Sequence, residues 1–276
     1  MGGWYGSRFV LWIEGWLNWH RMPGTSNKRR GSGAGKQDMN RWVAALVLGT
    51  VSGVAAASGD IDRVNTLSQS EFRSLGEDLA AVVGYKAMTP AEPLGLTGFD
   101  IGVEASFTGI QHTAVMDKAS SGSGYSTMPS TKLHLHKGLP LGIDVGLVYG
   151  LVPGSNLTMT GAELRYALVE GGVAVPAVGL RASYSQSGGV DQLGLTTRGL
   201  ELTVSKGFAM VTPYAGAGQV WVNATPHNVA GLQEERFTQT RLYAGANINF
   251  GLWNLLFEAD RTGNDNSYGA KLGFRF

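Results

Sequence analysis

The chain has 276 residues, 41 glycines, no cysteine and a formal net charge of +1. The lack of cysteine excludes disulfide bonds, thiol catalysis and thiolate metal sites. Residues 1–57 carry seven basic and two acidic side chains, a balance of +5, which leaves −4 for the remainder. The pI of about 8.0 therefore reflects the first 57 residues and gives no support for nucleic-acid binding.

Residues 39–57 have the layout of a secretory signal peptide. A positive charge at Arg41 precedes an apolar stretch from Trp42 to Val54, and three alanines end the segment before Ser58. The alternative is a buried core helix, which the glycines in the stretch and its small-residue end disfavour. We therefore expect export through a cleaved signal peptide.

The preceding residues, 1–38, hold four of the seven tryptophans and a basic run rich in Gly and Ser. We interpret them as a mis-assigned or disordered leader, with the true start of translation at Met39. They give no sign of a folded domain.

A helix is predicted over residues 68–83, within an N-terminal segment that spans 58–98. Ser68 and Glu71 have the spacing of a capping box, apolar residues then recur at helical spacing, and Gly84 is a natural stop. We expect this periplasmic segment to place its amphipathic helix against the base of the barrel proposed below. A helix that plugs the barrel lumen is the alternative.

From Phe99 to Phe276 the apolar residues alternate with polar ones, as they do in a β-strand with one apolar face. The predicted strands cover ten segments: 99–108, 131–138, 142–151, 158–168, 177–186, 196–206, 212–223, 237–250, 253–262 and 267–276. Short links alternate with longer polar ones, above all Gln111–Ser130, a loop rich in Ser and Gly that we expect to be mobile. Alternating tight turns and long loops are typical of outer-membrane barrels.

The predicted fold is thus all-β: a closed, antiparallel, up-and-down transmembrane β-barrel of about ten strands, with eight to twelve allowed, over residues 99–276. A soluble β-sandwich or lipocalin-like barrel is the alternative. Segments of nine to twelve residues suit tilted membrane-crossing strands better than soluble ones. Aromatic residues near the strand ends suit an interfacial girdle: Tyr149, Tyr184, Trp253, Phe257, Tyr268 and Phe276.

The polar faces of the strands carry acidic and basic side chains in near balance, Lys132 and Asp260 among them, and in a membrane barrel these would meet in the lumen. The predicted lumen network consists of Asp100, Glu104, His134, His136, Asp144, Glu163, Arg165, Arg181, Glu201, Arg241, Glu258, Lys271 and Arg275. A strongly ion-selective pore would show one sign of charge. With about ten strands the lumen is narrow, and we expect it to be largely blocked.

The last strand ends with alternating apolar residues and a terminal Phe: Tyr268, Leu272, Phe274 and Phe276. This ending resembles the C-terminal assembly signal of bacterial outer-membrane proteins. The leader, the strands and the ending together resemble small barrels of the OmpA, OmpX and OmpW kind, whose eight strands are fewer than those predicted here. The resemblance implies a location in the bacterial outer membrane, contact with its lipid and lipopolysaccharide, and recognition of these four residues by the barrel-assembly machinery.

No catalytic, cofactor or metal site is predicted. Ten-stranded omptin proteases are the nearest enzymatic comparison, but the candidate rim residues do not match the omptin motifs: His112, Asp117, Asp191, His227, Asp260 and Asp265. His134 and His136 alone are too few ligands for a metal. Two functions remain: a structural or surface-interaction barrel, or a small channel or carrier for small or apolar solutes that is gated by the N-terminal helix.

Overall fold

A computed structural model describes residues 59–121 and 125–276. The predicted leader and signal peptide lie outside these residues. So do Ser58 and residues 122–124 of the loop that was expected to be mobile.

Ten antiparallel strands form a closed barrel in which each strand pairs with its neighbours in sequence and β1 pairs with β10. This confirms the predicted up-and-down topology and strand number. The strands are β1 (Phe99–Gly109), β2 (Thr127–Gly138), β3 (Ile143–Leu151), β4 (Thr158–Val169), β5 (Ala177–Gly188), β6 (Leu193–Ser205), β7 (Val211–Pro226), β8 (Glu235–Phe250), β9 (Trp253–Thr262) and β10 (Asp265–Arg275).

Most strand bounds lie within a few residues of those predicted, and β2 differs most because it begins at Thr127 instead of 131. Pro129 hides this start in the sequence, since proline cannot donate to a ladder and argues against a strand. The connection before β2 was expected to be an irregular loop. It contains a short helix, Thr113–Ala119, which is numbered α2 because helix α1 (Gln69–Val83) precedes it in the chain.

The two ends of the barrel differ in their connections. The long-loop end carries residues 110–126, 152–157, 189–192, 227–234 and 263–264, and the short-turn end carries 139–142, 170–176, 206–210 and 251–252. The contrast is weaker than predicted, because the β9–β10 connection has only two residues and the β4–β5 connection has seven. Phe99 and Phe276 exchange main-chain hydrogen bonds of 2.8 and 3.1 Å at the short-turn end.

The pairing register fixes the tilt of the strands. A path can be drawn from Gly102 by stepping from each residue to its partner on the next strand and continuing the register past the strand ends where needed. After ten steps it meets β1 again, twelve residues nearer the long-loop end. That shear corresponds to strands tilted by about 40° and a backbone radius of about 10 Å. A helix with its side chains is about 10 Å across, so one helix nearly fills such a lumen.

Side chains alternate between lumen and exterior along each strand, as the pleat requires. The outward positions are mostly apolar and exposed, including Ile101, Val103, Leu133, Leu147, Leu164, Leu200, Leu202 and Leu242. Exposed aromatic residues lie toward both edges of this apolar belt: Phe107, Tyr149, Tyr184, Trp221 and Tyr268 toward the long-loop end, and Tyr166, Phe208, Phe250, Trp253 and Phe276 toward the short-turn end. The outer surface of the barrel is therefore apolar, the reverse of a soluble barrel.

Helix α1 (Gln69–Val83) begins at the predicted capping box. The Ser68 backbone N–H donates to Glu71 Oε2 at 2.7 Å, and the Glu71 N–H donates to Ser68 Oγ at 3.4 Å. A single 3₁₀ turn, Val64–Thr66, precedes it. In the part of the chain that the structure describes, none of the helices has the length and apolar character needed to cross a bilayer.

The expected position of α1 at the base of the barrel is wrong. The helix lies inside the barrel and contacts β5 to β10, and its apolar side chains, including Phe72, Leu75 and Leu79, are fully buried. Residues 59–67 lie at the long-loop end, where the Gly59 N–H donates to Gly154 O at 3.1 Å. The chain then descends through the lumen and reaches the short-turn end before β1. We call residues 68–98 the plug.

Candidate functional site in the barrel lumen

The lumen is divided into two layers. In the long-loop half, apolar side chains of α1 pack against inward-facing apolar residues of the strands and loops, such as Met128, Leu157, Leu195 and Phe237. In the short-turn half, the strands project the predicted network of charged side chains. All thirteen predicted network residues point inward, and all are buried except Arg275, whose side chain is one quarter exposed.

The charged layer runs as a chain of ion pairs from strand to strand. His136 lies between Asp100 and Glu163, with ring nitrogen to oxygen distances of 3.7 and 3.3 Å. Arg181 joins Glu163 to Glu201 at 2.8 and 3.0 Å. These contacts run from β1 to β6, and the two made by His136 are ion pairs only when its ring is protonated.

Arg241 on β8 continues the chain, because it bonds Glu201 at 2.8 Å and Glu258 on β9 at 2.7 Å. Tyr214 on β7 donates its hydroxyl to Glu258 at 2.7 Å. Tyr243 lies beside this part of the network, and its ring lies under the Arg241 guanidinium, 4.5 Å from the ring centroid.

Glycines make room for the two tyrosine rings. Gly216 is paired with Tyr243, and Gly245 with Tyr214. A Cβ atom on Gly216 would lie 2.3 Å from the Tyr243 ring, and one on Gly245 would lie 2.6 Å from the Tyr214 ring. Each ring therefore lies flat over a strand and leaves the charged side chains room to meet.

Asp100 and Glu104 organise the β1–β2 side of the layer. Asp100 accepts from Lys271 at 3.2 Å and from Arg275 at 2.8 Å. Glu104 accepts from Lys132 at 3.1 Å and pairs with His134 at 2.7 Å. Each carboxylate meets at least two basic groups, which offsets the cost of burying its charge.

Three charged groups extend the network beyond the predicted set: Lys86 of the plug, Lys132 on β2 and Asp260 on β9. Lys86 Nζ lies 2.8 Å from Asp260 Oδ2 and donates to Ser267 Oγ at 2.7 Å. With these three residues the network holds seven acids (Asp100, Glu104, Asp144, Glu163, Glu201, Glu258, Asp260) and seven bases (Lys86, Lys132, Arg165, Arg181, Arg241, Lys271, Arg275). The period-two pattern places Lys132 and Asp260 on the polar faces of their strands, and both are buried in the lumen. Nothing in the pattern brings Lys86 there.

The arginines of this layer also hold the plug. Arg165 bonds Asp144 at 3.0 Å and donates to Thr89 Oγ1 at 2.8 Å and to the Pro90 carbonyl at 2.6 Å. Asp144 in turn accepts from the Leu94 N–H at 3.1 Å. The plug is therefore fixed at its lower end by polar contacts and at its upper end by apolar packing.

A polar rim connects the top of the plug to the loops. Lys118 of α2 donates to Glu71 at 2.7 Å, and this contact, with the Ser68 cap, lowers the pKa of Glu71 to about 2. Asp78 accepts from His112 Nδ1 at 2.8 Å and from the His112 N–H at 2.9 Å. Burial raises the pKa of Asp78 and the His112 contacts oppose that shift.

Two small cavities lie among the described residues of the lumen. One is lined by Val82, Val83, Ser130 and Met159, the other by Lys86, Glu104 and Asp260, and each has a volume of about 10 Å³. That is room for about one water molecule. Neither could admit a substrate.

The described residues contain no group of three His, Cys, Asp or Glu side chains that could bind a metal ion. The rings of His134 and His136 stack with centroids 5.8 Å apart, and both bond carboxylates. Of the acids considered for a rim site, Asp260 and Asp265 are buried. The structure does not gather the rim residues into an open cleft.

The residues of the C-terminal ending lie on β10 or just beyond it. Tyr268 and Phe276 are exposed on the outside of the barrel. Phe274 packs edge-on against Trp253, with ring centroids 5.4 Å apart. Recognition of this strand by an assembly machinery stays a prediction.

No protein-family model and no curated protein sequence matches the chain. Among solved structures it is similar to a KdgM porin, with 10% identity, a TM-score of 0.34 and coverage of 65% of this chain and 99% of that one. It is similar to the translocator domain of the autotransporter NalP from Neisseria meningitidis, with 10% identity, a TM-score of 0.37 and coverage of 78% and 98%. It is also similar to the outer membrane protease OmpT from Escherichia coli, with 10% identity, a TM-score of 0.36 and coverage of 65% and 96%. Likeness at this level assigns no activity.

Proposed function

We propose that the protein is a bacterial outer-membrane β-barrel of structural or surface-interaction type, with a narrow lumen that its own plug closes. The observation that carries this proposal is the filling of the lumen by residues 68–98. A transport pathway would require most of the contacts described above to break.

The exterior supports a membrane location. Large apolar side chains that would be buried in a soluble barrel are exposed around the whole circumference, between two sets of aromatic residues. Such a belt with aromatic edges is what a lipid bilayer requires of a transmembrane barrel. The contiguous apolar surface also far exceeds the patches that soluble monomers expose.

We assign the long-loop end to the cell surface and the short-turn end to the periplasm, as the loop lengths indicate. The surface end then presents α2, the loop over residues 227–234 and the entry of the plug at residues 59–67. Hydrogen bonds tie these segments together: the Asp62 and Arg63 N–H groups donate to the Ala119 carbonyl of α2 at 3.2 and 3.0 Å. The Gln233 N–H of the 227–234 loop donates to Gln69 Oε1 at the start of α1 at 2.9 Å. They form a cap that could contact other cells, surfaces or lipopolysaccharide.

Planar-bilayer recordings of the purified full-length protein test the closed lumen. We expect no large, steady conductance from the native protein. Deletion of Ser68–Gly84 should open a conducting path, because it removes the apolar layer that fills the long-loop half of the lumen. A control exchanges all eight residues of the 227–234 loop for Gly and Ser, which leaves the lumen filled.

A large steady conductance in the native protein would favour the alternative, a channel or carrier gated by the N-terminal helix. Electrophoresis of outer membranes with and without boiling tests the barrel itself. A closed barrel that resists detergent migrates faster when it has not been boiled. A soluble periplasmic protein without such a shift would overturn the membrane assignment.

A further inference from the structure

The outward face of the barrel carries charge of one sign. Four outward-facing strand residues are charged, and all four are basic: Lys137, Arg198, Arg236 and Arg261. No strand of the barrel directs an acidic side chain outward. This differs from the lumen, where acids and bases balance.

Three of the four lie toward the long-loop end, on β6, β8 and β9. Arg198 is paired in register with Tyr184 on one side and with Trp221 on the other. Both aromatic side chains are exposed. Because Tyr and Trp prefer the level of lipid headgroups, they fix the depth of Arg198 at the outer edge of the apolar belt.

Arg261 lies at the same height. The register leads from Arg198 through Trp221 to Thr238, whereas Arg261 pairs with Leu242, four residues nearer the short-turn end of β8. Because the shear is twelve residues over ten strands, a path through paired residues rises toward the long-loop end by about 1.2 residues per strand. Over the three steps from β6 to β9 it rises by about 3.6 residues, which cancels the four-residue offset. Arg198 and Arg261 thus stand about level.

Polar side chains fill the space between them. Gln219 on β7 and Thr240 on β8 face outward at this level, and Gln219 Nε2 donates to Thr240 Oγ1 at 3.1 Å. A hydrogen-bonded amide and hydroxyl are out of place in a hydrocarbon layer. We call Arg198, Gln219, Thr240 and Arg261 the outer polar row.

The opposite side of the barrel lacks such a row. The same register places Phe107, Leu151 and Thr160 at this height on β1, β3 and β4, with Tyr149 one outward position below. None of these side chains is charged. The cationic row is therefore confined to one side, β6 to β9.

We propose that the outer polar row binds phosphate groups of an outer-leaflet lipid; this inference rests on the membrane function proposed above. Within the described residues, Arg198 has no hydrogen-bond or ion-pair partner, so its guanidinium is available. Among the residues that the structure describes, Arg261 bonds only the Gly263 carbonyl and the Asn264 side chain, at 3.2 and 3.4 Å. Arg236, closer to the loops, is already paired with Glu234 at 2.9 Å.

The chemistry favours phosphate esters. A guanidinium presents a planar fork of donors that matches two phosphate oxygens, and arginine keeps its charge at any physiological pH. An outward position at the edge of the belt faces lipid headgroups rather than a soluble ligand. The neighbouring amide and hydroxyl can donate to further oxygens of the same headgroup.

The test compares the full-length native protein with Arg198→Gln/Arg261→Gln in phosphatidylcholine nanodiscs that contain bisphosphorylated lipid A. The protein is then extracted into mild detergent, and native mass spectrometry counts the lipid A molecules that remain bound. Lys137→Gln is the control, because it removes an outward-facing cation at the opposite edge of the belt, where Lys137 Nζ already donates to the Leu96 and Gly98 carbonyls at 2.6 and 3.1 Å. Arg198→Gln alone serves as a milder second variant.

We expect the native protein and Lys137→Gln to retain lipid A equally, and the double variant to bind it at least about tenfold more weakly. A tenfold change in affinity corresponds to about 1.4 kcal/mol, which a charge-assisted hydrogen bond can supply. Inorganic phosphate should not displace the lipid, and displacement by it would overturn the assignment to a headgroup. Equal retention by the double variant would overturn the proposal.

Heat-shift electrophoresis of the same samples separates the two proposals. If the native protein shows no barrel in the outer membrane, the proposed function itself fails. If every variant forms the barrel and lipid A retention is unchanged, only the outer polar row is excluded as a lipid site.

Discussion

The Asp144–Arg165 pair holds the lower end of the plug, and its removal should destabilise the barrel strongly. Both side chains are almost completely buried. Asp144→Asn keeps the size of the side chain but leaves the Arg165 guanidinium without its counter-charge. Breaking a buried ion pair from one side costs about 3–5 kcal/mol.

The double variant Asp144→Leu/Arg165→Met should recover part of this loss, because replacing a buried pair by apolar residues is often neutral or better. Recovery cannot be complete. Arg165 also donates to the Pro90 carbonyl at 2.6 Å, and a buried carbonyl left without a donor costs about 1–3 kcal/mol. We therefore expect the double variant to be about 1–3 kcal/mol less stable than the native protein.

Equilibrium unfolding in guanidinium chloride, followed by tryptophan fluorescence in phospholipid bilayers, measures these differences. Glu234→Gln is the control, since it breaks an exposed pair with Arg236 and should leave the unfolding midpoint unchanged. If Asp144→Asn stays within about 0.5 kcal/mol of the native protein, the range of ordinary surface substitutions, the buried charge is not confined as described. A double variant less stable than Asp144→Asn would also contradict the reasoning.

Three further predictions concern the cap, the lumen and the orientation. The pKa of Glu71 is lowered to about 2 from 4.5. Its contacts therefore stabilise the fold above about pH 4.5, and that contribution is lost as the pH falls toward 2. The unfolding midpoint of Glu71→Gln should lie below that of the native protein at pH 6, and the difference should vanish near pH 2. Gly216→Ala should lower stability by about 1–3 kcal/mol through overpacking against Tyr243, measured by the same unfolding, and no change would show that the ring can move aside. A cysteine at position 60 in Asp60→Cys should react with a membrane-impermeant maleimide on intact cells, while one in Leu141→Cys should not. The reverse pattern would invert the assigned orientation. The native chain, which lacks cysteine, is the negative control.

The strands were predictable because each crossing strand repeats the same two-residue alternation. In β6, for example, Leu200, Leu202 and Val204 face outward while Glu201 and Thr203 are buried in the lumen. The capping box of α1 was equally visible, since it depends only on Ser68 and Glu71. Both patterns involve residues close together in the sequence, so they can be recognised without knowing the fold.

The partners within the lumen were not predictable from the same patterns. That Arg181 bridges Glu163 and Glu201 depends on the register of three strands. The helix α2 was missed because its two turns lie in a connection with loop-like composition. The start of β2 at Thr127 was not predicted, because Pro129 argues against a strand at that position.

The order of residues is enough to predict a barrel with an apolar outer surface and charged side chains in its lumen, because alternation along a strand is a local property. The position of the N-terminal helix depends instead on the tertiary structure. An amphipathic helix needs an apolar surface to cover it, and the sequence does not say whether lipid, the barrel base or the lumen supplies it. The closed barrel does supply one, in the ring of inward-facing apolar residues at the long-loop end. Lys86 then reaches Asp260, and the plug residues that follow α1 reach Arg165, only because the helix has entered there.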